Sequence, residues 1–267
     1  MATIIEDINT SYDNLLGVIG TPTSGTVIGA ITKARDGINI NINSVGKSLD
    51  TLKDDVMDKI KKKTLYPDIG DTGPAGGYIF YKADTVQTST YVDSNGQTVT
   101  YTWQYLEAAP ADASTSDVIF GYYRPSGTNT TVQSNIDTAI TQNDHSTYNG
   151  NAAVGQGRLN TSLLVKAMGS SAYSSSSGSD TTSTYAAKLC DDYTYGGYSD
   201  WFLPSMEELR YMYENLYSKS IGTWSIFYWS STEDSGSNSW YYDFYDDYVY
   251  PYSRRYGGSY VRAVRAF

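Results

Sequence analysis

The sequence GYSDWFLPSMEELRYMYENL, at residues 197–216, contains the best-marked helix start in the chain. Ser205 is followed three residues later by Glu208. This is the spacing of a capping box, in which each side chain bonds the backbone amide of the other residue. Apolar side chains then recur at helical spacing, at Met206, Leu209, Met212 or Tyr213, and Leu216. We therefore predict a helix that begins after Ser205 and packs one face against a core.

Towards the N-terminus, residues 78–82, 88–92 and 98–103 have the aromatic and β-branched composition of strands. The last two are joined by DSNG at 93–96, and Asn-Gly is the strongest short-range signal for a tight hairpin turn. A hairpin is therefore predicted here. The later carboxylates that a calcium loop needs are missing from this stretch.

Two further helices are predicted at residues 161–168 and 184–191. The serine-rich stretch between them, residues 170–184, is typical of a flexible surface loop. The sequence GQG at 155–157 lacks the preceding strand and the third glycine of a phosphate-binding loop, so we interpret it as a turn. From residue 224 to its end the chain again has a strand-like pattern.

The first 66 residues differ in composition from the rest of the chain. They contain seven of the eleven lysines, two of the 27 tyrosines and no tryptophan. We therefore predict a domain boundary near Tyr66 and Pro67. Residues 1–66 are expected to be a helical oligomerisation and attachment segment, and residues 67–267 a ligand-binding domain.

A stripe of apolar residues in the first segment has the three- and four-residue spacing of a heptad coiled coil. It consists of Ile31, Ile38, Ile42, Val45, Leu49, Leu52 and Val56. A single helix would leave this stripe exposed to water, so self-association is predicted. The alternative is an amphipathic helix packed on its own C-terminal domain, and Gly37 and Gly46 weaken a long continuous coil.

Composition excludes several classes of function. Nineteen basic residues against 29 acidic ones give a net charge of -10, which argues against nucleic acid as a partner. The single cysteine, Cys190, excludes an intrachain disulfide and is predicted to be a buried thiol. Residues 1–9 lack an apolar signal segment, and no run approaches the roughly 18 apolar residues of a membrane span.

The chain has one histidine, His145, in a polar loop. It can therefore build neither a His-rich metal site nor a Ser-His-Asp arrangement away from that residue. Asp243, Asp246 and Asp247 could offer oxygen ligands to calcium, but adjacent carboxylates on a turn are more often solvated. No catalytic residue, metal or cofactor is predicted, and the chain is not expected to be an enzyme.

Five motifs occur along the chain. They are GPAGGYIFY (73–81), LEAAP (106–110), GYSDWFLPS (197–205), YWSS (228–231) and VRAVR (261–265). Together they resemble, from Gly70 to Phe267, a bacterial and phage domain family with the C-type lectin-like fold. The resemblance implies an α+β fold with twisted antiparallel sheets, two to three helices and long loops, preceded by the N-terminal helical or coiled-coil segment.

This fold family includes the variable proteins of diversity-generating retroelements, such as phage tropism determinants. In these proteins a mutagenic reverse transcriptase rewrites codons near the C-terminus and so varies a ligand-binding face. The last forty residues of this chain resemble that subset. Another relative in fold, the sulfatase-activating oxidase, depends on cysteines that are absent here.

The C-terminal residues also suggest a binding face on physical grounds. Strand geometry places alternate residues of WYYDFY (240–245) on opposite faces. Trp240, Tyr242 and Phe244 form the core-like set, and Tyr241, Asp243 and Tyr245 form the outward set. Residues 246–260 are rich in Tyr, Ser, Asp, Gly and Arg, which is the composition of an antibody paratope.

A second sign is what residues 241–267 lack: Lys, Glu, Gln, Met and Trp. These are the residues that cannot be reached when the first two bases of an Asn codon are randomised and the third stays a pyrimidine. The pattern favours codon diversification. The alternative is a tyrosine-rich edge of an ordinary sheet.

We predict a ligand-binding face within about residues 225–267. Its residues are Asp234, Ser235, Ser237, Tyr241, Asp243, Tyr245, Asp247, Tyr248, Tyr250, Tyr252, Arg254, Arg255, Tyr256 and Ser259.

The predicted function is that of a receptor-binding protein with a hypervariable surface, mounted as a homo-oligomer, a trimer, on the tail of a phage or prophage. Its expected partners are a host-cell surface protein or glycan, a tail or baseplate component, and further copies of itself. Virion assembly would place it outside the cell without a signal segment. The alternative is a bacterial surface adhesin of the same fold with a fixed protein or glycan ligand.

Overall fold

A computed structural model describes residues 67–133, 148–253 and 259–267, besides the isolated positions Thr10, Thr51 and Asp54. The chain divides into two units, Met1–Tyr66 and Pro67–Phe267, and the second contains nearly all the described residues. The predicted coiled-coil stripe and His145 lie outside the described residues.

Within the described residues, the second unit has eight strands and three α-helices. The strands are β1 (Tyr78–Val92), β2 (Thr98–Ala108), β3 (Ala172–Tyr173), β4 (Thr181–Thr182), β5 (Phe227–Glu233), β6 (Asn238–Asp243), β7 (Tyr248–Ser253) and β8 (Val264–Ala266). The helices are α1 (Gly157–Met168), α2 (Ala186–Asp191) and α3 (Met206–Asn215), with 3₁₀ turns at Gly150–Ala152 and Tyr217–Lys219.

The strands pair antiparallel in three sheets, ordered β1-β2-β8, β3-β4 and β5-β6-β7. This mixed arrangement of antiparallel sheets and few helices agrees with the expected α+β class. No helix in the described part of the chain is long and apolar enough to cross a membrane.

The predicted hairpin is confirmed: β1 and β2 pair from Val92↔Thr98 inward. The Asp93 carboxylate accepts the backbone N–H groups of Asn95 and Gln97 at 2.9 and 2.7 Å, and Gly96 takes a φ of 80° that favours glycine. The stretch between the predicted segments 78–82 and 88–92 is strand as well. β1 continues through it with a shift in register.

The predicted capping box of α3 is also confirmed. The Ser205 hydroxyl accepts the Glu208 N–H, and the Glu208 carboxylate accepts the Ser205 N–H at 2.7 Å. The other oxygen of Glu208 accepts the N–H of Gly155 at 2.8 Å, so the predicted turn at 155–157 is tied to the start of α3. A Cβ at Gly157 would overlap this carboxylate. Burial raises the pKa of Glu208 to about 7.

The remaining helices differ from prediction at their starts. α1 begins at Gly157 and α2 at Ala186. The serine-rich stretch is not a plain loop, because β3 and β4 pair within it and the Arg124 guanidinium lies 4.7 Å from the Tyr173 ring. Cys190 is buried in α2, as predicted, and burial raises the pKa of its thiol.

Four of the five motifs meet at one buried ion pair, Glu107–Arg265, with 2.8 Å between nitrogen and oxygen. Glu107 also accepts the Ala75 N–H, and a Cβ at Gly73 would overlap its carboxylate. The Arg265 guanidinium binds Asp200 as well, at 2.9 Å. A buried charge needs such partners, so the glycine-rich motif, LEAAP, GYSDWFLPS and VRAVR are explained by one contact network.

The sheet β5-β6-β7 has a hydrophobic cluster on each face. Trp240, Tyr242 and Phe244 belong to the larger cluster, which also contains the buried face of α3. Trp229 belongs to the second, together with α2 residues, and Tyr241 packs against it. Both faces of this sheet are therefore partly covered by hydrophobic residues.

Candidate ligand-binding surface

The alternation predicted for residues 240–245 is present in the structure except at Asp243. Trp240, Tyr242 and Phe244 are at most 5% exposed, whereas Tyr241 is only half-buried. Tyr241 lies directly opposite Tyr250 of β7, and facing residues on neighbouring strands point to the same side of the sheet. The strand geometry therefore gathers the outward tyrosines in one place.

We define the aromatic face as the side chains of Phe227, Tyr241, Tyr248, Tyr250 and Tyr252. Tyr241 lies at its centre: its ring centroid is 5.4 Å from that of Tyr250, 5.3 Å from Tyr252 and 5.8 Å from Phe227. Tyr248 extends the face, 4.3 Å from Tyr250. These distances are those of aromatic pairs that stabilise one another, so the rings support each other's orientation.

Trp229 supports the aromatic face from the second cluster. It is completely buried, and its ring lies 6.2 Å from Tyr241 and 6.3 Å from Tyr252. Its Nε1–H donates to the Val118 carbonyl at 2.7 Å. The exposed tyrosines thus rest on a fixed, buried ring.

A polar network fixes the start of β5, next to Phe227. The Asp112 carboxylate accepts hydrogen bonds from the Ser225 and Tyr228 hydroxyls at 2.7 and 2.9 Å. It also pairs with the buried Arg262 at 2.7 Å, whose guanidinium lies 4.2 Å from the Trp224 ring. Because Arg262 is fully partnered, it is a structural cation and is not available to a ligand.

The two turns of the sheet place the other predicted residues at opposite ends of β6. Asp234, Ser235 and Ser237 lie in the β5–β6 turn, near the Tyr252 end, since Ser239 pairs with Tyr252. Tyr245 and Asp247 lie in the β6–β7 turn, near Tyr248. Six residues of strand separate the two groups, roughly 20 Å, so the predicted residues form one extended surface and not a pocket.

Tyr245 is the most exposed aromatic residue among these, at 74%. Asp247 has a φ of 53°, in the left-handed region that Asp tolerates better than most residues. Its carboxylate accepts the Tyr242 hydroxyl at 2.6 Å. The β6–β7 turn is thereby held to the core while Tyr245 projects into solvent.

Two predicted ligand-binding residues do not reach this surface. Asp243 is 6% exposed and Ser259 is 2% exposed. The Asp243 carboxylate accepts the backbone N–H groups of Tyr245 and Asp246, so it shapes the β6–β7 turn. The backbone of Ser259 pairs with that of Val118. Arg254, Arg255 and Tyr256 lie outside the described residues.

The sequence prediction did not include Ile226 and Phe227, which are 45% and 37% exposed. A signal was available: Phe227 and Trp229 are two residues apart, so period-two geometry places them on one side of β5. That side faces Tyr241 through the pair Trp229↔Tyr241.

The electrostatics around Tyr241 are set by burial and by acidic neighbours. Burial raises the pKa of Tyr241 to about 12, and the Asp243 carboxylate adds to the effect. The Glu233 carboxylate is used within the protein, where it accepts the N–H of Val132 and of Gln133. Among residues 67–133, 148–253 and 259–267, no three His, Cys, Asp or Glu side chains cluster to hold a metal ion.

Comparison with known proteins supplies one family. No curated protein matches the chain. The family model described as the Lcl C-terminal domain matches residues 128–265, just over half of the chain, and includes β5, β6 and β7. This family is a lectin-like binding domain of the receptor-binding or adhesin type and is not a family of enzymes. The chain therefore belongs to the Lcl C-terminal domain family, the C-type lectin-like domain of retroelement-associated variable proteins and phage tropism proteins.

Proposed function

We propose that this chain is a receptor-binding protein whose aromatic face contacts the receptor. The observation that supports this most directly is the central position of Tyr241, stacked on Tyr250 and resting on the buried Trp229. Tyrosine supplies a large contact area with few rotatable bonds, and such residues dominate binding energy in many interfaces. Rings that are already ordered lose little entropy when a partner docks.

We further propose that a retroelement diversifies this face. The outward residues Tyr241, Tyr250 and Tyr252 alternate with the buried residues Tyr242 and Val249. Outward codons could then change while the core stays constant. The absence of Lys, Glu, Gln, Met and Trp from residues 241–267 is consistent with randomised Asn codons.

In this proposal the protein is part of a phage or prophage tail. Residues 1–66 would join three copies and attach them to a tail or baseplate component, and residues 67–267 would present the face to a protein or glycan on the host cell. The apolar stripe from Ile31 to Val56 supports the first part.

Two experiments test the proposal. Binding of the full chain to host bacteria should fall when Tyr250 is changed to Ala, and should persist when the exposed Tyr195, outside the face, is changed instead.

A near-identical template repeat beside a reverse transcriptase gene, with adenines at the codons of residues 241–260, is expected in the genome. Binding without such a repeat would favour an adhesin with a fixed ligand.

A further inference from the structure

The aromatic face lies in a part of the chain that contains acidic residues and no basic ones. Between Lys219 and Arg254 the sequence contains no Lys or Arg. The same stretch contains five acidic residues, Glu233, Asp234, Asp243, Asp246 and Asp247. All three strands of the sheet β5-β6-β7 fall within it.

Three of these carboxylates reach solvent beside the aromatic face. Asp246 is exposed in the β6–β7 turn, between the exposed Tyr245 and the half-buried Asp247. Asp234 is half-buried in the β5–β6 turn, at the other end of β6. Acidic groups therefore stand at both ends of the ring stack.

The buried arginines nearby do not offset this charge. Arg262 is 1% exposed and pairs with Asp112, and Arg265 is 4% exposed and pairs with Glu107 and Asp200. Each is neutralised by its own carboxylate partners. Within the described residues of the sheet, the potential at the aromatic face comes from the aspartates and from the ring faces, which are themselves electron-rich.

We propose that the partner of the aromatic face is a linear protein segment that carries Lys or Arg side chains. This inference rests on the proposed function, and it chooses a protein over a glycan as the receptor. A guanidinium or ammonium group placed over a tyrosine ring is attracted by the ring's negative face. A neighbouring carboxylate at Asp246 or Asp234 adds a charge-assisted contact.

Complementary charge would also speed the encounter between the partners. An anionic glycan is disfavoured by the same geometry, because each sulfate or carboxylate would approach aspartates and ring faces of like sign.

The test uses a library of random 12-residue peptides displayed on filamentous phage and selected on the immobilised full chain at two salt concentrations. The expected result is enrichment of peptides with positive net charge, most strongly at low salt. Affinity of the enriched peptides should fall more than tenfold in Tyr250→Ala. It should fall about two- to fivefold in Asp246→Asn, which removes one exposed charge.

Asp84→Asn is the matched control, because Asp84 is exposed on β1, in a different sheet; it should leave peptide affinity unchanged. Enrichment of neutral or acidic peptides that still depend on Tyr250 would overturn the cationic partner and leave the proposed function standing. Enrichment of acidic peptides whose affinity falls in Arg254→Ala or Arg255→Ala would also overturn the cationic partner. That result would assign the charge preference to those arginines. Enrichment of no peptide at all would overturn the proposal of a linear protein segment as the partner. Binding to host bacteria would then still test the proposed receptor-binding function.

Discussion

The rings of Tyr241 and Tyr250 stack across β6 and β7 with 5.4 Å between their centroids and 17° between their planes. Their backbones are directly paired, so the spacing is set by the sheet and not by the side chains alone. A ligand that covers these rings meets them already aligned. Pre-organisation of this kind strengthens binding because less side-chain entropy is lost.

The neighbours Phe244 and Tyr245 should respond oppositely to truncation. Phe244 is completely buried and contacts the rings of Tyr213, Tyr217, Trp224, Tyr228 and Tyr242. Phe244→Ala should therefore lower the free energy of unfolding by about 3 to 5 kcal/mol. Tyr245→Ala should change it by no more than about 0.5 kcal/mol, as is usual at the surface. Urea unfolding of both variants measures this, and similar losses would mean that Tyr245 belongs to the core.

That contrast shows what the sequence could predict. Strand periodicity predicted that Tyr242 and Phe244 are buried and that Tyr241 and Tyr245 point outward. Successive side chains of a strand point to opposite faces of the sheet whatever surrounds it. The capping box of α3 and the Asn-Gly hairpin were equally local and were equally predictable.

The burial of individual side chains could not be predicted in the same way. Strand alternation places Asp243 on the outward side of the sheet. Its carboxylate nevertheless accepts two backbone N–H groups of the β6–β7 turn, and the side chain is buried. Trp229 faces the same side as Tyr241, yet the second cluster buries it. The burial of Asp243 depends on the turn that follows it, and the burial of Trp229 depends on residues distant in sequence, such as Val118. Period-two reasoning contains no information about either.

Stability should depend on pH through Glu208. Burial raises its pKa to about 7, against an ordinary value of 4.5. The folded state therefore holds the proton more tightly than the unfolded state does, and the stabilisation is complete below pH 4.5 and lost as the pH rises to about 7. The expected loss is about 3 kcal/mol.

Glu208→Gln should flatten this decline between pH 4.5 and 7, although the variant should be less stable overall because its amide would face backbone donors. Glu214→Gln, at an exposed position on the same helix, should keep the slope of the unmodified chain. Urea unfolding across that pH range is the measurement. An unchanged slope in Glu208→Gln would show that another group titrates there.

The Glu107–Arg265 pair should be costly to break. Arg265→Met leaves the completely buried Glu107 without its cation, and loss of one partner of a buried pair typically costs about 3 to 5 kcal/mol. Lys188→Met is the comparison, since its partner Asp192 is 62% exposed. That change should cost about 1 kcal/mol or less. Equal losses in chemical denaturation would contradict the structural role given to the motif network.

Assembly should depend on the N-terminal segment. If the stripe from Ile31 to Val56 is buried between copies, the full chain should sediment as an oligomer. The fragment 67–267, which contains both hydrophobic clusters, should sediment as a monomer. The same number of copies per particle in both samples would remove the coiled-coil prediction.

Receptor binding should survive a calcium chelator. A calcium site needs several oxygen ligands converging at roughly 2.3 to 2.6 Å. Here two of the three aspartates closest in sequence are already engaged: Asp243 accepts backbone N–H groups and Asp247 accepts the Tyr242 hydroxyl. Host-cell binding should therefore be equal with and without chelator, yet fall more than tenfold in Tyr250→Ala, because a central aromatic anchor is typically worth about 2 kcal/mol or more. Binding that is lost in chelator and restored by added calcium would instead make the aspartates the site.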